Sequence, residues 1–474
     1  MFFSYRVFIF LVLIFINGIY QSSYGDNQTA VVSPIYSGEN LPFKVRVELE
    51  SFTLPNGIQS FAFATYQGKW LLLTGRTNGL HGFNDDDNFP PRAQNTTVYV
   101  VDPCQNTVLS RSLLDSRAGL SLEQIDLLSV TSAQFYQTKE TLYIAGGYGI
   151  DSATGQMSTK SVLTAIDIPG LIRWVTKPES EQTAAKSIRH LFHPLFQVTG
   201  GYMAQVNKNL SLLIFGQNFI GSYIPSSNGL YTEQVRRFRL FDNGKKLVVH
   251  VKNSKPQIPD PNYRRRDLNI VPVICPSHGT SKLDFMAFAG VFTPTGGAWT
   301  VPVKIRSNGE ASMADPIAPD TFKQAMNHYV CPTVGLYSSS HRKMYVIFFG
   351  GISFGFFENG SFTTDSELPF INQITTIQLD RKGHLKQYLM DSTYPTILST
   401  ASNPGNPLLF GAGAQFIPAE HLPVYNKDIL KLDRLGKGSL LIGYIVGGIQ
   451  STLPNTASSS DSAASPYIFR VILE

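Results

Sequence analysis

The sequence predicts an all-β chain assembled from a repeated four-strand unit, on three observations. An apolar run closing on glycine recurs six times, each copy holds short strand-like runs, and helical periodicity is nearly absent. The endings are Leu71–Gly75 (LLLTG), Leu142–Gly147 (LYIAGG), Leu212–Gly216 (LLIFG), Phe285–Gly290 (FMAFAG), Tyr345–Gly351 (YVIFFGG) and Leu441–Gly448 (LIGYIVGG). The last step is the longest, and a degenerate seventh copy has room around Ser399 to Leu432.

The second copy shows the unit most clearly. Val130–Gln137 is a first strand, Thr138-Lys139-Glu140 a polar turn, and Thr141–Ala145 a second strand closing on Gly146-Gly147. After a loop, Ser161–Asp167 alternates as a third strand, and Ile172–Val175 (IRWV) is a short fourth. The first copy pairs Gln59–Tyr66 with Trp70–Thr74, then Thr97–Val101 with Thr107–Arg111. Asn-Gly turns, strong hairpin signals, join Val235–Phe241 to Lys246–His250 and Thr300–Arg306 to the strand from Ala311. In the fifth copy Asp380-Arg381-Lys382-Gly383 turns Ile374–Leu379 into Leu385–Leu389. The sixth ends the chain with Tyr467–Leu473 and lacks a fourth strand, while Phe43–Leu49 (FKVRVEL) alternates with period two ahead of the first copy.

Four-stranded antiparallel sheets repeated radially make a β-propeller. The expectation is six four-stranded blades, or seven if the degenerate copy counts, with Phe43–Leu49 supplying the outer strand of the last blade. The strand ending on Gly-Gly, then a polar loop and an alternating third strand, resembles the kelch propellers over residues 43–474. Only Gly146-Gly147, Gly350-Gly351 and Gly447-Gly448 keep both glycines, and Trp174 alone stands where the late kelch tryptophan belongs.

The chain opens on a basic residue, Arg6, then an apolar run from Val7 to about Tyr20 and the small-residue exit Ser23-Tyr24-Gly25, the pattern of a secretory leader. The expected division is therefore a leader over 1–25, a flexible lead over 26–42 and the propeller over 43–474, secreted or periplasmic. No later stretch is long and apolar enough to span a membrane. Hydrophobic content of 43% with 15% charged residues fits an ordered core, and a net charge of +5 with scattered Lys and Arg argues against nucleic acid. Cys104, Cys275 and Cys331 make no disulfide framework, and Asn27, Asn95, Asn209 and Asn359 open N-x-S/T sequons. A monomer without cofactor is expected.

In a propeller the first-to-second and third-to-fourth turns share one face, and the loops after the glycines share the other. Here the latter are long, at 76–94, 148–160, 217–231, 352–370 and 449–465, so the long-loop face is the expected binding face. Three segments align on proline as starts of innermost strands: Arg189-His190-Leu191-Phe192-His193-Pro194, Arg264–Pro272 and Asn327–Pro332. That alignment gathers Arg189, His190, Arg265, Arg266, Asp267 and His328 at the channel mouth. Arginine holds carboxylates through paired hydrogen bonds and histidine can donate, accept or shuttle a proton. The opposing reading is a plug in which these groups neutralise one another, since three adjacent arginines at a buried strand entry need partners.

Asp85, Asp86 and Asp87 form the one dense carboxylate cluster, a weak metal candidate that also reads as a solvated turn. No H-E-x-x-H, G-x-S-x-G or phosphate-cradling glycine loop occurs. The leading expectation is an exported propeller that binds a ligand, glycan or protein partner through the long-loop face and channel mouth. The alternative is a sugar-active enzyme resembling the sialic-acid mutarotases, in which Arg265, Asp267, His190 and His328 would position the sugar and move its proton. That reading is an analogy of architecture.

Overall fold

The computed structural model describes residues 32–474 except 85, 224–228, 276–282, 427–428, 437, 457 and 459, so the expected leader lies outside the described residues. Residues 33–474 form one compact unit. It is an all-β propeller with two short α-helices, Leu122–Leu128 and Ile168–Thr176, among the described residues.

Among the described residues five separate sheets have four strands each. From the axis outward, the first runs Ala62–Tyr66, Lys69–Leu73, Thr97–Asp102 and Thr107–Ser112, and the second runs Gln134–Thr138, Thr141–Ala145, Val162–Asp167 and Ile188–Phe192. The third is Tyr202–Asn207, Leu210–Ile214, Val235–Asp242 and Leu247–Lys255, and the fourth is Asn269–Ile274, Leu283–Phe288, Val303–Ile305 and Ala311–Met313. The last sheet takes Gln415–Pro418, Leu440–Val446 and Ile468–Leu473 from the chain's end and Val45–Leu49 from its beginning. Val45 pairs antiparallel with Leu473 and Leu49 with Phe469, so the N-terminal strand fills the outer position. Between the fourth and last sheets lies a seven-stranded sheet with the antiparallel meander Thr333–Ser338, Lys343–Ile352, Phe370–Leu379 and Leu385–Thr393 at its centre.

Hydrophobic clusters fill each gap between neighbouring sheets. Leu71, Leu73, Leu142 and Ile144 join the first to the second, and Phe61, Trp70 and Tyr99 meet Ile417, Val446 and Ile468 to join the first to the last. The sheets therefore form a ring closed by packing. A large-to-small change such as Leu72→Ala, at a side chain with no exposure, costs about 2–5 kcal/mol at sites of this kind.

The strand-closing glycines have a conformational cause. At all six endings two successive residues take positive φ. The first of the two lies at +50° to +65° and is Thr74, Gly146, Phe215, Ala289, Gly350 or Gly447; the second lies at +85° to +100° and is always glycine. Other residues enter the left-handed helical region at a cost, but the larger φ is open only to glycine. Only the second position is thus obligatory, which is why half of the copies drop the first glycine. The second glycine's N–H then reaches the next sheet: Gly75 donates to Val130 O (2.7 Å), Gly147 to Val198 O (2.9 Å) and Gly216 to Arg265 O (2.9 Å).

Several expectations are corrected. Ile172–Val175 lies in the helix Ile168–Thr176, because Ile168, Leu171, Ile172 and Val175 make an i, i+3, i+4, i+7 stripe that buries against the first and second sheets, behind Pro169 at the helix start. The fourth strand of that sheet is Ile188–Phe192. Residues 33–42 are built in rather than loose: Ile35–Ser37 pairs parallel with 387–389, and Ser33 exchanges hydrogen bonds with Lys323. Among the described residues the region 399–432 forms no further four-stranded sheet; it supplies Gln415–Pro418 and a hairpin, Val424–Tyr425 with Ile429–Lys431, set on the meander. Cys104 is exposed and Cys275 and Cys331 are buried, with no disulfide among the three.

Candidate functional site: the central channel

The innermost strand of each four-stranded sheet pairs on one side only, leaving its other edge toward the axis. Side-chain amides satisfy part of these edges. Gln137 donates to Thr65 O (2.7 Å) and accepts from Thr65 N–H (2.9 Å), Gln415 donates to Phe61 O (3.2 Å), and Asn269 accepts from Cys331 N–H (3.1 Å) while donating to His328 O. These stitches hold neighbouring innermost strands together where no ladder can form.

At the entry of the strands, on the long-loop side, six residues repeat one conformation: Ser60, Ser132, Gly200, Asp267, Val330 and Gly413 all have φ between +48° and +67°. Their backbones are linked around the axis. Ser132 N–H donates to Ser60 O (3.2 Å), Gly200 to Ser132 (2.9 Å), Asp267 to Gly200 (2.8 Å), Gly413 to Val330 (2.7 Å) and Ser60 to Gly413 (2.8 Å). Gly200 is required by close approach as well, since a Cβ there would stand 2.9 Å from Asp267 Oδ1.

Below this neck lies a cavity of about 660 Å³. Half-buried rings of Phe63, Phe135, Tyr202 and Phe416 line it together with Ser60, Ser132, Thr65 and Thr333. Asp267 is its carboxylate, and Lys139 stands at the far end.

Asp267 is not a free anion. Its carboxylate pairs with Arg266, whose guanidinium also donates to Tyr223 Oη (2.7 Å) and Tyr231 Oη (3.1 Å) and lies against Phe292. Burial alone disfavours the Arg266 charge, but Asp267 together with Tyr223 and Tyr231 more than offsets it, and Arg266 is held more firmly protonated than in water. Arg265 has no part in the cavity. It is fully buried, donating to Ala289 O (3.1 Å) and Val301 O (2.8 Å) with Trp299 under its guanidinium, and burial pushes its pKa down to about 9. Arg264 caps Tyr231 and donates to Phe292 O (2.7 Å).

The remaining expected members lie elsewhere. His328 is buried, with Nδ1 bonded to Gly350 O (2.8 Å) and its ring stacked on Phe348, and burial pushes its pKa down to about 4. Arg189 and His190 sit in Ile188–Phe192, the outermost strand of the second sheet, so the proline alignment fails there: the innermost strand of the third sheet is Tyr202–Asn207. Arg189 pairs with Asp242, which also accepts from Tyr143 Oη (2.7 Å), in a contact between the second and third sheets. The four groups combined in the enzyme reading are therefore not gathered in one place.

The expected binding face is largely a roof. The long loops bridge one another at Asn78 with Ala463 and at Ser158 with Ile220, and Asn88 accepts from Tyr223 N–H (3.0 Å). His81 stacks on Phe89 beside Tyr223, and burial pushes its pKa down to about 4. Asp85 lies outside the described residues; Asp87 N–H is turned back on Asn84 Oδ1 (3.0 Å), and among the described residues no three His, Cys, Asp or Glu side chains are grouped to hold a metal.

On the opposite face most first-to-second turns are short, as at 67–68, 139–140 and 208–209, but that of the last sheet spans residues 419–439. It crosses the short-turn end, where Glu420 accepts from Gly68 N–H (2.6 Å), and lays Ile429–Lys431 parallel along Thr333–Ser338, with Leu430 lining the cavity. Asp433 then fastens it to the turn after that strand, accepting from Ser338 Oγ (2.6 Å), Ser339 Oγ (2.8 Å), Ser340 Oγ (2.9 Å) and Ser340 N–H (2.9 Å). The long last step between glycines marks extra chain here, but not where it docks, because its strand pairing is made with residues about a hundred positions away.

No family model matches the chain, and no curated protein matches it. Among solved structures 225 chains match. One, titled "Structure of YjhT", is similar over 89% of this chain and 98% of its own, at 11% identity and a TM-score of 0.45.

Proposed function

We propose that this chain is an exported, kelch-like propeller that binds a small polyhydroxylated ligand, such as a glycan unit, inside its central channel. In this reading the meander within the seven-stranded sheet counts as a sixth blade. The observation that carries it is the cavity of about 660 Å³ below the neck of left-handed residues. That volume falls in the range of small-molecule sites, which combine apolar walls with a few placed polar groups. Phe63, Phe135, Tyr202 and Phe416 offer ring faces, and Ser60, Ser132, Thr65 and Thr333 offer hydroxyls. Asp267, held by Arg266, offers a fixed acceptor at the narrow end.

Binding rather than catalysis is favoured because Asp267 is charge-paired and His190, Arg265 and His328 do not reach the cavity. The test is a thermal-shift screen of sugars and glycans, followed by calorimetry of any ligand found against Phe135→Ala. Loss of one ring contact, worth about 1.4 kcal/mol, weakens binding about tenfold. An affinity equal to wild type in Phe135→Ala and Tyr202→Ala alike moves the site out of the channel.

A further inference from the structure

We infer that the exported chain carries N-linked glycans at Asn209 and Asn359 and none at Asn95. The inference rests on the reading that the chain enters a secretory compartment. Three sequons fall within the described residues, Asn95-Thr96-Thr97, Asn209-Leu210-Ser211 and Asn359-Gly360-Ser361, and the fold treats them differently.

Asn95 is 1% exposed, and its amide is spent on the backbone. Its Nδ2 donates to Thr74 O (2.8 Å) and Thr97 O (2.9 Å), and its Oδ1 accepts from Thr97 N–H (3.1 Å). Thr74 is the left-handed residue that opens the first strand ending, so Asn95 is part of the device that passes the chain from one sheet to its loop. A sugar on Nδ2 would remove a donor and place a hydrated chain in the core. A molecule modified there does not reach this fold.

Asn209 and Asn359 are exposed at hairpin turns. Asn209 follows the innermost strand Tyr202–Asn207, and its backbone N–H is capped by Asn207 Oδ1 (2.9 Å). Asn359 occupies the tip between Gly355–Glu358 and Ser361–Thr364 on the long-loop face, with φ of +50°. Among the described residues neither side-chain amide has a hydrogen-bond partner, so a glycan costs no internal contact. In the transfer, Nδ2 forms a bond to the anomeric carbon of a lipid-pyrophosphate oligosaccharide. The bond from that carbon to the phosphate oxygen breaks, the lipid pyrophosphate leaves with the electron pair, and the amide proton passes to the transferase. The Asn209 glycan stands on the rim of the channel's short-turn end, leaving a mouth suited to small ligands rather than to a broad protein surface.

The test is secretion of the full chain, with Asn27→Gln to remove the remaining sequon, from eukaryotic cells. Enzymatic release of N-glycans in heavy-oxygen water, which converts each modified Asn to labelled Asp, is read by peptide mass spectrometry. Label at 209 and 359, an unmodified 95 peptide, and two mobility steps removed singly by Asn209→Asp and Ser361→Ala are expected. Secreted protein bare at Asn209 or Asn359, or labelled at Asn95, overturns the inference while leaving export standing. A chain kept in the cytosol without glycans overturns both.

Discussion

The backbone N–H of Gly448, in the last strand ending, donates to the carbonyl of Ile58, at the entry of the first sheet, across 2.8 Å. It is the same staple that Gly75 makes to Val130 and Gly147 to Val198, here joining the two ends of the chain. Gly448 has φ of +90°, and a Cβ there would fall 2.6 Å from Ala414 Cβ. Gly383 has nearly the same φ, +91°, with nothing within 4 Å. Gly383→Ala is expected to cost roughly 1 kcal/mol through backbone strain alone, and Gly448→Ala about 2–4 kcal/mol because overpacking adds to it. Denaturant unfolding of the two variants checks this; equal losses would show that the ring closure does not depend on the contact.

The pair of Arg266 and Asp267 sets the charge at the channel neck. Asp267→Asn keeps a residue that tolerates its φ of +48° but leaves a buried guanidinium without its anion. A loss of about 3 kcal/mol is expected, since one partner of a buried pair is missing. Arg266→Met with Asp267→Asn should recover part of it. A double-mutant cycle measures the coupling, and additive losses would mean that the pair is not coupled.

His328 makes stability depend on pH. Its folded pKa, about 4, lies below the usual value of 6.5, so the unfolded chain binds the proton more readily. The sign follows: stability is full above about pH 6.5 and falls as pH drops toward 4, by at most about 1.4 kcal/mol per unit. His328→Phe should flatten the slope of the unfolding free energy between pH 6.5 and 4.5 by close to one proton. An unchanged slope would assign that titration to other groups, such as His81 or His190, which burial also pushes down to about 4.

Asp433 is the latch of the channel hairpin. Burial opposes its ionisation, but the hydroxyls of Ser338, Ser339 and Ser340 and the Ser340 N–H outweigh it and hold the carboxyl well below the usual range. The latch is therefore complete above the unfolded carboxyl pKa and is lost as pH falls through the lower folded value. Asp433→Ala should raise amide exchange over residues 419–435 severalfold with little change in global unfolding, because the sheets keep their own packing. Exchange spread evenly over the whole chain would instead make Asp433 a general stabiliser.

What the sequence determined by itself is the repeat. Left-handed strand endings, period-two alternation and turn chemistry are properties of adjacent residues, so the glycines at 75, 147, 216, 290, 351 and 448 and the alternation of Phe43–Leu49 were legible without a structure. The stripe at 168, 171, 172 and 175 is equally local, but Ile172–Val175 taken with the period of the neighbouring strands reads as a strand, and only the longer window from Ile168 carries the helical period. The site is another matter. His190 and His328 share a local motif, yet one lies on an outer edge and the other in the core, while Phe63, Phe135, Tyr202, Asp267 and Phe416 meet around one cavity with no motif in common. Which strand is innermost, which arginine finds a carboxylate and where the 419–439 insertion docks depend on closing a ring between residues hundreds of positions apart. Only the tertiary structure decided these, because short-range preferences shape each strand while long-range packing chooses its neighbours.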